Sequence, residues 1–481
     1  MSLSRRRFVT TASALGAGVL LAPPGTAQAL TSGDAGRGSA DYEATKASLD
    51  THPVPRWYKD AKFGIFIHWG VYSVPAGSAR QMAAEWYLWY QSFDTDPTWK
   101  YHRDTYGQDF LYDDFIPQFT AKNYDPDAWV RLFEQAGAEY FVLTSKHHDG
   151  FALFPSEVTD RHAGKYGPKR DLVGPLMAAA RKRGTVRPGL YYSLGEFFNP
   201  AIGRPMKNFY TGQEVPMLGY KPVDDYVGDY ELKQLQEITD RYDPDLLWAD
   251  GQWFRPTDNP PWRSEEALAH YYNQAKNRRK PKGVVANDRF DTHYDFTTYE
   301  QRTNPTMDPQ KWECCITMGY SWGYNKFEIE EDYKTSEFLV HLLADVTSKN
   351  GNLLLNIGPR PDGTIPDVMQ RRLRDIGAWL DVNGPAIYGS TPWVRAEEEG
   401  SPLGIRYTVT PGKFNVIVLG APTGTLSVPT DIPASATSRI RLLGHNKPLK
   451  WTRSDGKVHI SVPDTLPSEL ANTFTVDWER R

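Results

Sequence analysis

The sequence predicts a parallel (β/α)8-type barrel followed by a smaller antiparallel β-sandwich. Three observations carry that reading. First, 481 residues are enough for two domains with well-buried cores. Second, short apolar strands recur from about residue 57 to 357, many of them with helical segments between, as both-face-buried parallel strands do. Third, the character changes after Asn383-Gly384-Pro385 to alternating segments punctuated by Gly, Pro and Asp.

The expected barrel strands are Phe63–His68, Tyr140–Thr144, Pro188–Ser193, Leu246–Ala249, Val284–Asn287, Asp295–Tyr299, Ile316–Gly319 and Asn352–Ile357. One helix is well marked: Asp125 is placed to cap it, Pro126 suits its first turn, and Trp129, Leu132, Phe133 and Ala136 repeat at helical spacing before Gly137. A second helix is expected over Tyr230 to Tyr242. The stretches near 80–120 and 200–228 are rich in Tyr, Trp, Pro and Gly without periodicity, and read as long βα loops over the barrel mouth. In the C-terminal part, Ile405–Val409, Phe414–Leu419, Ile440–Leu443 and Lys457–Val462 have strand period.

At the N-terminus, Arg5-Arg6-Arg7 precedes a mild apolar stretch, Ala12 to Ala22, and a small-residue cleavage pattern, Ala27-Gln28-Ala29. That order is an export signal of twin-arginine type, so a secreted or periplasmic location is expected. The expected organisation is then a signal peptide (1–29), a flexible lead-in (30–43), a catalytic barrel (44–388) and a β-sandwich (389–481). The remainder holds no apolar run long enough for an ordinary membrane span. A formal charge of −4 gives no footprint for nucleic acid or an anionic membrane. The two cysteines, Cys314 and Cys315, are adjacent; on a strand they point to opposite faces, so two free thiols are expected. Oligomeric state is not legible.

Active sites of such barrels lie at the strands' C-terminal ends, and polar residues gather there in order: His68-Trp69-Gly70, Lys146-His147-His148-Asp149-Gly150, Tyr191-Tyr192, Asp250-Gly251, Asn287-Asp288-Arg289 and Glu300. Alone, Asp250 before Gly251 would more often be a helix cap; six such endings in sequence reverse that. Imidazoles, a guanidinium and aromatic rings suit a polyhydroxylated ring, and two carboxylates suit attack on a sugar carbon with protonation of the leaving oxygen. Asp250 reads as the nucleophile and Glu300 as the acid/base, with Glu313 and Asp288 as rivals for the second role. Of Tyr191 and Tyr192, on opposite strand faces, only one can enter the pocket. Adjacent histidines diverge on a strand and no metal-ligand spacing accompanies them, so neither metal nor cofactor is expected.

The segments Phe63-Gly64-Ile65-Phe66-Ile67-His68-Trp69-Gly70, Glu85-Trp86-Tyr87, Lys146-His147-His148-Asp149-Gly150-Phe151, Trp248-Ala249-Asp250-Gly251 and Gly351-Asn352-Leu353-Leu354-Leu355-Asn356 closely resemble alpha-L-fucosidases of glycoside hydrolase family 29. The resemblance spans roughly 50–395. It implies a retaining double displacement on terminal alpha-L-fucose of a fucosylated oligosaccharide or glycoconjugate, with Asp250 as nucleophile. It implies sugar contacts from His68, Glu85, Trp86, His147, His148, Tyr191 and Arg289, and aligns Glu300 with one branch's acid. Two alternatives are a non-catalytic fucose-binding protein on the same scaffold and a retaining enzyme for a related sugar such as alpha-L-galactose.

Overall fold

The computed structural model describes residues 40–254, 262–398 and 400–478. The expected signal peptide and most of the expected lead-in lie outside the described residues. Where description begins, Tyr42 is fastened by paired backbone contacts with the Asn273 side chain, at 2.8 and 2.9 Å.

Eight parallel strands form one curled sheet: β1 Phe63–Ile67, β2 Tyr140–Lys146, β3 Arg187–Ser193, β4 Leu246–Asp250, β5 Val285–Ala286, β6 Thr297–Glu300, β7 Trp312–Thr317 and β8 Gly351–Ile357. Their order is β5-β4-β3-β2-β1-β8-β7-β6. The ring closes through a single parallel bridge, Asn287 to Phe296. Asp295 reinforces this seam: its carboxylate accepts from the Ala286 backbone N–H (2.7 Å) and the Tyr272 hydroxyl (2.9 Å), and meets His52 Nδ1 at 2.7 Å.

Seven of the eight expected strands coincide with observed ones. The seventh is a correction: β7 starts four residues earlier than expected, because buried Glu313 interrupts what would otherwise read as an apolar run. The helix Pro126–Gln135 is as expected, with the Asp125 side chain accepting from Ala128 N at 3.0 Å. The next expected helix is composite, a π-helical turn (Tyr226–Glu231) leading into Leu232–Tyr242. The stretch 80–120 is not plain loop, since it carries the helix Pro97–Tyr106 capped by Asp96. Among the described residues, no α-helix separates β5 from β6 or β6 from β7. The helical layer therefore has a gap there, and β6 is the one barrel strand with no buried residue.

Strand alternation sorts side chains into two layers. Leu246 and Trp248 face the lumen with Phe66, Tyr191 and Cys315, while Leu247 and Ala249 join the larger core beneath the helices. Cys314 and Cys315 are free thiols that fall in different layers. The C-terminal part forms two antiparallel sheets, of five and three strands. Their inner faces share one core, Tyr407, Phe414 and Phe474 from one sheet with Val428, Val458 and Ile460 from the other, which makes a sandwich.

Asp295→Ala leaves the Ala286 N–H and the Tyr272 hydroxyl buried without their acceptor, a cost of about 2–4 kcal/mol. Denaturant unfolding at neutral pH reads that loss; an unchanged midpoint would show that the seam does not depend on this carboxylate. Burial opposes ionisation of Asp295, but the imidazole of His293 at 3.6 Å and the hydrogen bond with His52 outweigh it and hold the carboxyl below its ordinary value. The wild-type advantage is thus full above the unfolded carboxylate pKa of about 3.9 and fades as pH falls through the folded value.

Candidate active site

Every residue picked out from the sequence as catalytic or sugar-binding lines one cavity of about 130 Å³ at the C-terminal ends of the strands. Asp250 ends β4, on the same face as Trp248 two residues earlier. Gly251 follows at φ +72°, and a Cβ there would come within 2.7 Å of Ser193 Oγ, so only glycine turns the chain away from this crowded strand end.

Arg289 organises the charges. Its Nη1 donates to Asp250 Oδ1 and its Nη2 to Glu300 Oε2, both at 2.7 Å. The guanidinium lies 4.7 Å from the centre of the Trp248 ring. Asn287 places it by extending the β4–β5 ladder with its own side chain, accepting from Ala249 N at 2.8 Å and donating to Ala249 O at 3.0 Å. Tyr191 OH donates to Asp250 Oδ2 at 2.9 Å. Burial pushes the Asp250 carboxyl up, but the Arg289 charge and the hydrogen bonds from Arg289 and Tyr191 more than offset it, so the group stays below the ordinary carboxylate range. The Glu300 side chain is 43% exposed and stands at the rim.

The three histidines are held neutral by burial, His68 down to about 3, His148 to about 4 and His147 well below its ordinary value. His68 Nδ1 meets Asn356 Oδ1 at 2.8 Å, and the Asn356 amide nitrogen donates to the Trp322 carbonyl. That orientation puts the His68 proton on Nδ1 and leaves Nε2 an acceptor. His148 Nδ1 meets Ser193 Oγ, whose own proton goes to the Gly195 carbonyl, and His148 Nε2 lies 3.6 Å from Asp250 Oδ2. Glu85 arrives on a 3₁₀ turn, Ala84–Trp86, and its Oε2 accepts from Ser321 Oγ, Trp322 N and Gly323 N at 2.9–3.1 Å. Burial outweighs these donors and pushes its carboxyl up to about 7. Glu85 Oε1 and His147 Nδ1 have no hydrogen-bond partner among the described residues, which suits them to polar groups of a ligand.

The alternatives left open by the sequence differ in position. Tyr191 enters the cavity; Tyr192 points the other way and donates to Gln234 Oε1 at 2.8 Å. Glu313 does not line the cavity. It is a buried lumen carboxylate accepting from Tyr58 OH, Tyr140 OH and Trp248 Nε1 at 2.6–3.0 Å. Asp288 is likewise off the cavity, accepting from Thr298 Oγ1 at 2.6 Å.

Among the lining residues not proposed as sugar contacts are Phe66, Trp248, Cys315 and Trp322. Period-two alternation from Asp250 points to Trp248 and from Glu313 to Cys315; the segment after β7 that supplies Trp322 gave no such signal. Among the described residues one group has ligand atoms close enough for a metal ion, His52, His293 and Asp295, outside this cavity at the β5–β6 seam.

A family model described as alpha-L-fucosidase matches residues 30–385. The chain is 37% identical over 448 residues to an alpha-L-fucosidase of Branchiostoma floridae, covering 91% of this chain and 94% of that one. It is 38% identical over 444 residues to the tissue alpha-L-fucosidase of Homo sapiens, covering 90% of each. The structure of Thermotoga maritima alpha-fucosidase in complex with a mechanism-based inhibitor superposes with a TM-score of 0.79 at 37% identity, over 91% of this chain and 100% of that one. Taken with the barrel, the sandwich and the carboxylate-lined cavity, these likenesses make the chain a glycoside hydrolase belonging to the alpha-L-fucosidase family.

Proposed function

We propose that the protein releases terminal alpha-L-fucose from glycans or glycoconjugates with retention at the anomeric carbon. In the first step Asp250 attacks C1 while Glu300 gives its proton to the departing glycosidic oxygen. In the second, water attacks C1, Glu300 takes the water's proton, and Asp250 leaves. The observation that carries this reading is the single guanidinium of Arg289 gripping both carboxylates at 2.7 Å. Their separation is limited to the span of one such group, as suits the short carboxylate spacing of retaining enzymes, about 5–5.5 Å.

The environments support the division of labour. Asp250 is buried, ionised and already oriented by Tyr191 and Arg289, as a nucleophile must be. Glu300 stands at the rim, where leaving group and water pass. The neutral imidazoles of His68, His147 and His148, the Glu85 carboxyl and Arg289 supply donors and acceptors for the sugar hydroxyls. The faces of Trp86, Trp248 and Trp322 suit its apolar patches, including a methyl group where other hexoses carry a hydroxymethyl. A protein that only bound fucose would have no use for two carboxylates on one arginine. The order of basic, apolar and Ala-x-Ala segments at the N-terminus supports export by the twin-arginine route, and a processed N-terminus at Leu30 in protein recovered from outside the cytoplasm is the expected observation.

Hydrolysis of 4-nitrophenyl alpha-L-fucoside, with the sugar followed by NMR, is expected to give alpha-fucose first; beta-fucose first would overturn Asp250 as nucleophile. Asp250→Gly is expected to lose on the order of 10³-fold or more in kcat with the fold retained.

Glu300→Gln is expected to slow natural glycosides, whose leaving groups need protonation, far more than the nitrophenyl substrate. Equal losses on both would remove Glu300 from the acid role.

Replacing Arg289 by Gln removes the cation that favours ionised Asp250, so burial dominates and its pKa rises. The acid limb of the kcat/KM profile should then move to higher pH; a limb that stays in place would assign it to another group.

A further inference from the structure

On the opposite face of the barrel, among the N-terminal ends of the strands, lies a cavity of about 510 Å³. Lys62 immediately precedes β1, Lys311 precedes β7 and Asn350 precedes β8, and all three line it. Lys62 is 1% exposed and Lys311 6%. Lysines this deep are ordinarily paired with an acid, yet neither makes an ion pair with a carboxylate among the described residues. Lys311 Nζ donates to the Asn350 carbonyl at 2.9 Å, and the two amines lie within hydrogen-bonding reach of each other. The acids on the same wall are engaged elsewhere: Asp60 accepts from Arg56 at 3.0 Å and Asp295 is saturated at the seam. Lys62 also sits at φ +62°, where glycine would be the easier residue.

We propose that this cavity is a binding site for a small divalent oxyanion, of the class of inorganic phosphate and sulfate, held between the amines of Lys62 and Lys311. A buried pair of ammonium groups with no carboxylate partner is stabilised by such an anion through charge-assisted hydrogen bonds, and Lys59 adds positive charge at the entrance. The site is independent of the sugar cavity and of the reaction assigned to it. Burial lowers Lys62 to about 8 and Lys311 well below its ordinary value, the latter also through the neighbouring Lys62. The charged groups facing the pair are Lys59, Asp60 and Arg56 from the helix before β1, Tyr294 and Asp295 from the segment before β6, and Glu313 behind Lys311. A bound dianion favours both ammonium forms over that background, so binding takes up protons.

The test is calorimetric titration of the full chain with inorganic phosphate and, separately, sulfate, at neutral pH in two buffers of different ionisation enthalpy. One saturable site with net proton uptake is expected, undisturbed by saturating fucose. Lys62→Met should weaken binding about ten-fold or more. The exposed rim variant Lys59→Met, which does not threaten folding, should weaken it two- to three-fold while fucoside hydrolysis is unchanged. Absence of saturable heat overturns the proposal, as does displacement by fucose, which would place the anion on Arg289 instead. So does affinity unchanged in Lys62→Met, or unchanged in Lys59→Met if the Lys62 variant does not fold.

Discussion

A cation buried at the barrel mouth is the constraint from which the active-site geometry follows. Arg289 is desolvated, and such a charge persists only where its compensation is close and well oriented. Asp250 and Glu300 provide that compensation, and the Trp248 face provides a polarisable floor. Trp248 is in turn pinned from beneath by Glu313, which also gathers Tyr58 and Tyr140 into the lumen. One chain of contacts therefore runs from the barrel's interior to the carboxylates at its mouth. Each link restricts the next, so the position of Asp250, the proposed nucleophile, is set by packing several residues away from it.

Hydrogen-bond direction does comparable work among the histidines. Neutral imidazoles can present either nitrogen as donor, and an enzyme that reads the stereochemistry of a sugar cannot leave that choice open. Asn356, itself oriented by the Trp322 carbonyl, settles it for His68, while the Ser193 hydroxyl and the Gly195 carbonyl settle it for His148. Asn356, Ser193 and Gly195 do not touch a sugar in the reading given above, but they decide what the residues that do touch it can offer.

Much of this was legible in the sequence, for specific physical reasons. Strands buried on both faces read as short apolar runs, and polar residues at their ends read as a site because that face of a parallel barrel holds the chemistry. What was missed follows from exceptions to the same rules. Glu313 lies inside β7 because three donors satisfy it, and a carboxylate in an apolar run hides the strand that contains it. Tyr191 and Tyr192 could be told apart only once the facing of β3 was known. The helix Pro97–Tyr106 carries its signals, Asp96 and Pro97, but its aromatic residues obscure helical spacing. The missing helices around β6 left no positive mark, since irregular backbone has no period to detect. In the sandwich, the strands Thr425–Pro429 and Trp451–Ser454 are half-exposed strands at the edges of the smaller sheet, and their polar outer residues dilute the alternation.

The seam between β5 and β6 gives the fold an uneven division of mechanical labour. Seven of the eight strand junctions are continuous ladders, and Asp250, the histidines and Tyr191 stand on or beside them. Glu300, the proposed acid/base, sits on β6, which is laddered to β7 on one side but joined to β5 by one backbone bridge on the other, with no α-helix in either flanking segment. A proton donor need only reach the leaving oxygen, whereas a nucleophile must meet a carbon along a narrow line of approach. The irregular segments on either side of β6 have room for length changes outside the ladders. On the proposed assignment of roles, this corner can vary on the leaving-group side while the ladders that carry Asp250, Tyr191 and the histidines stay as they are.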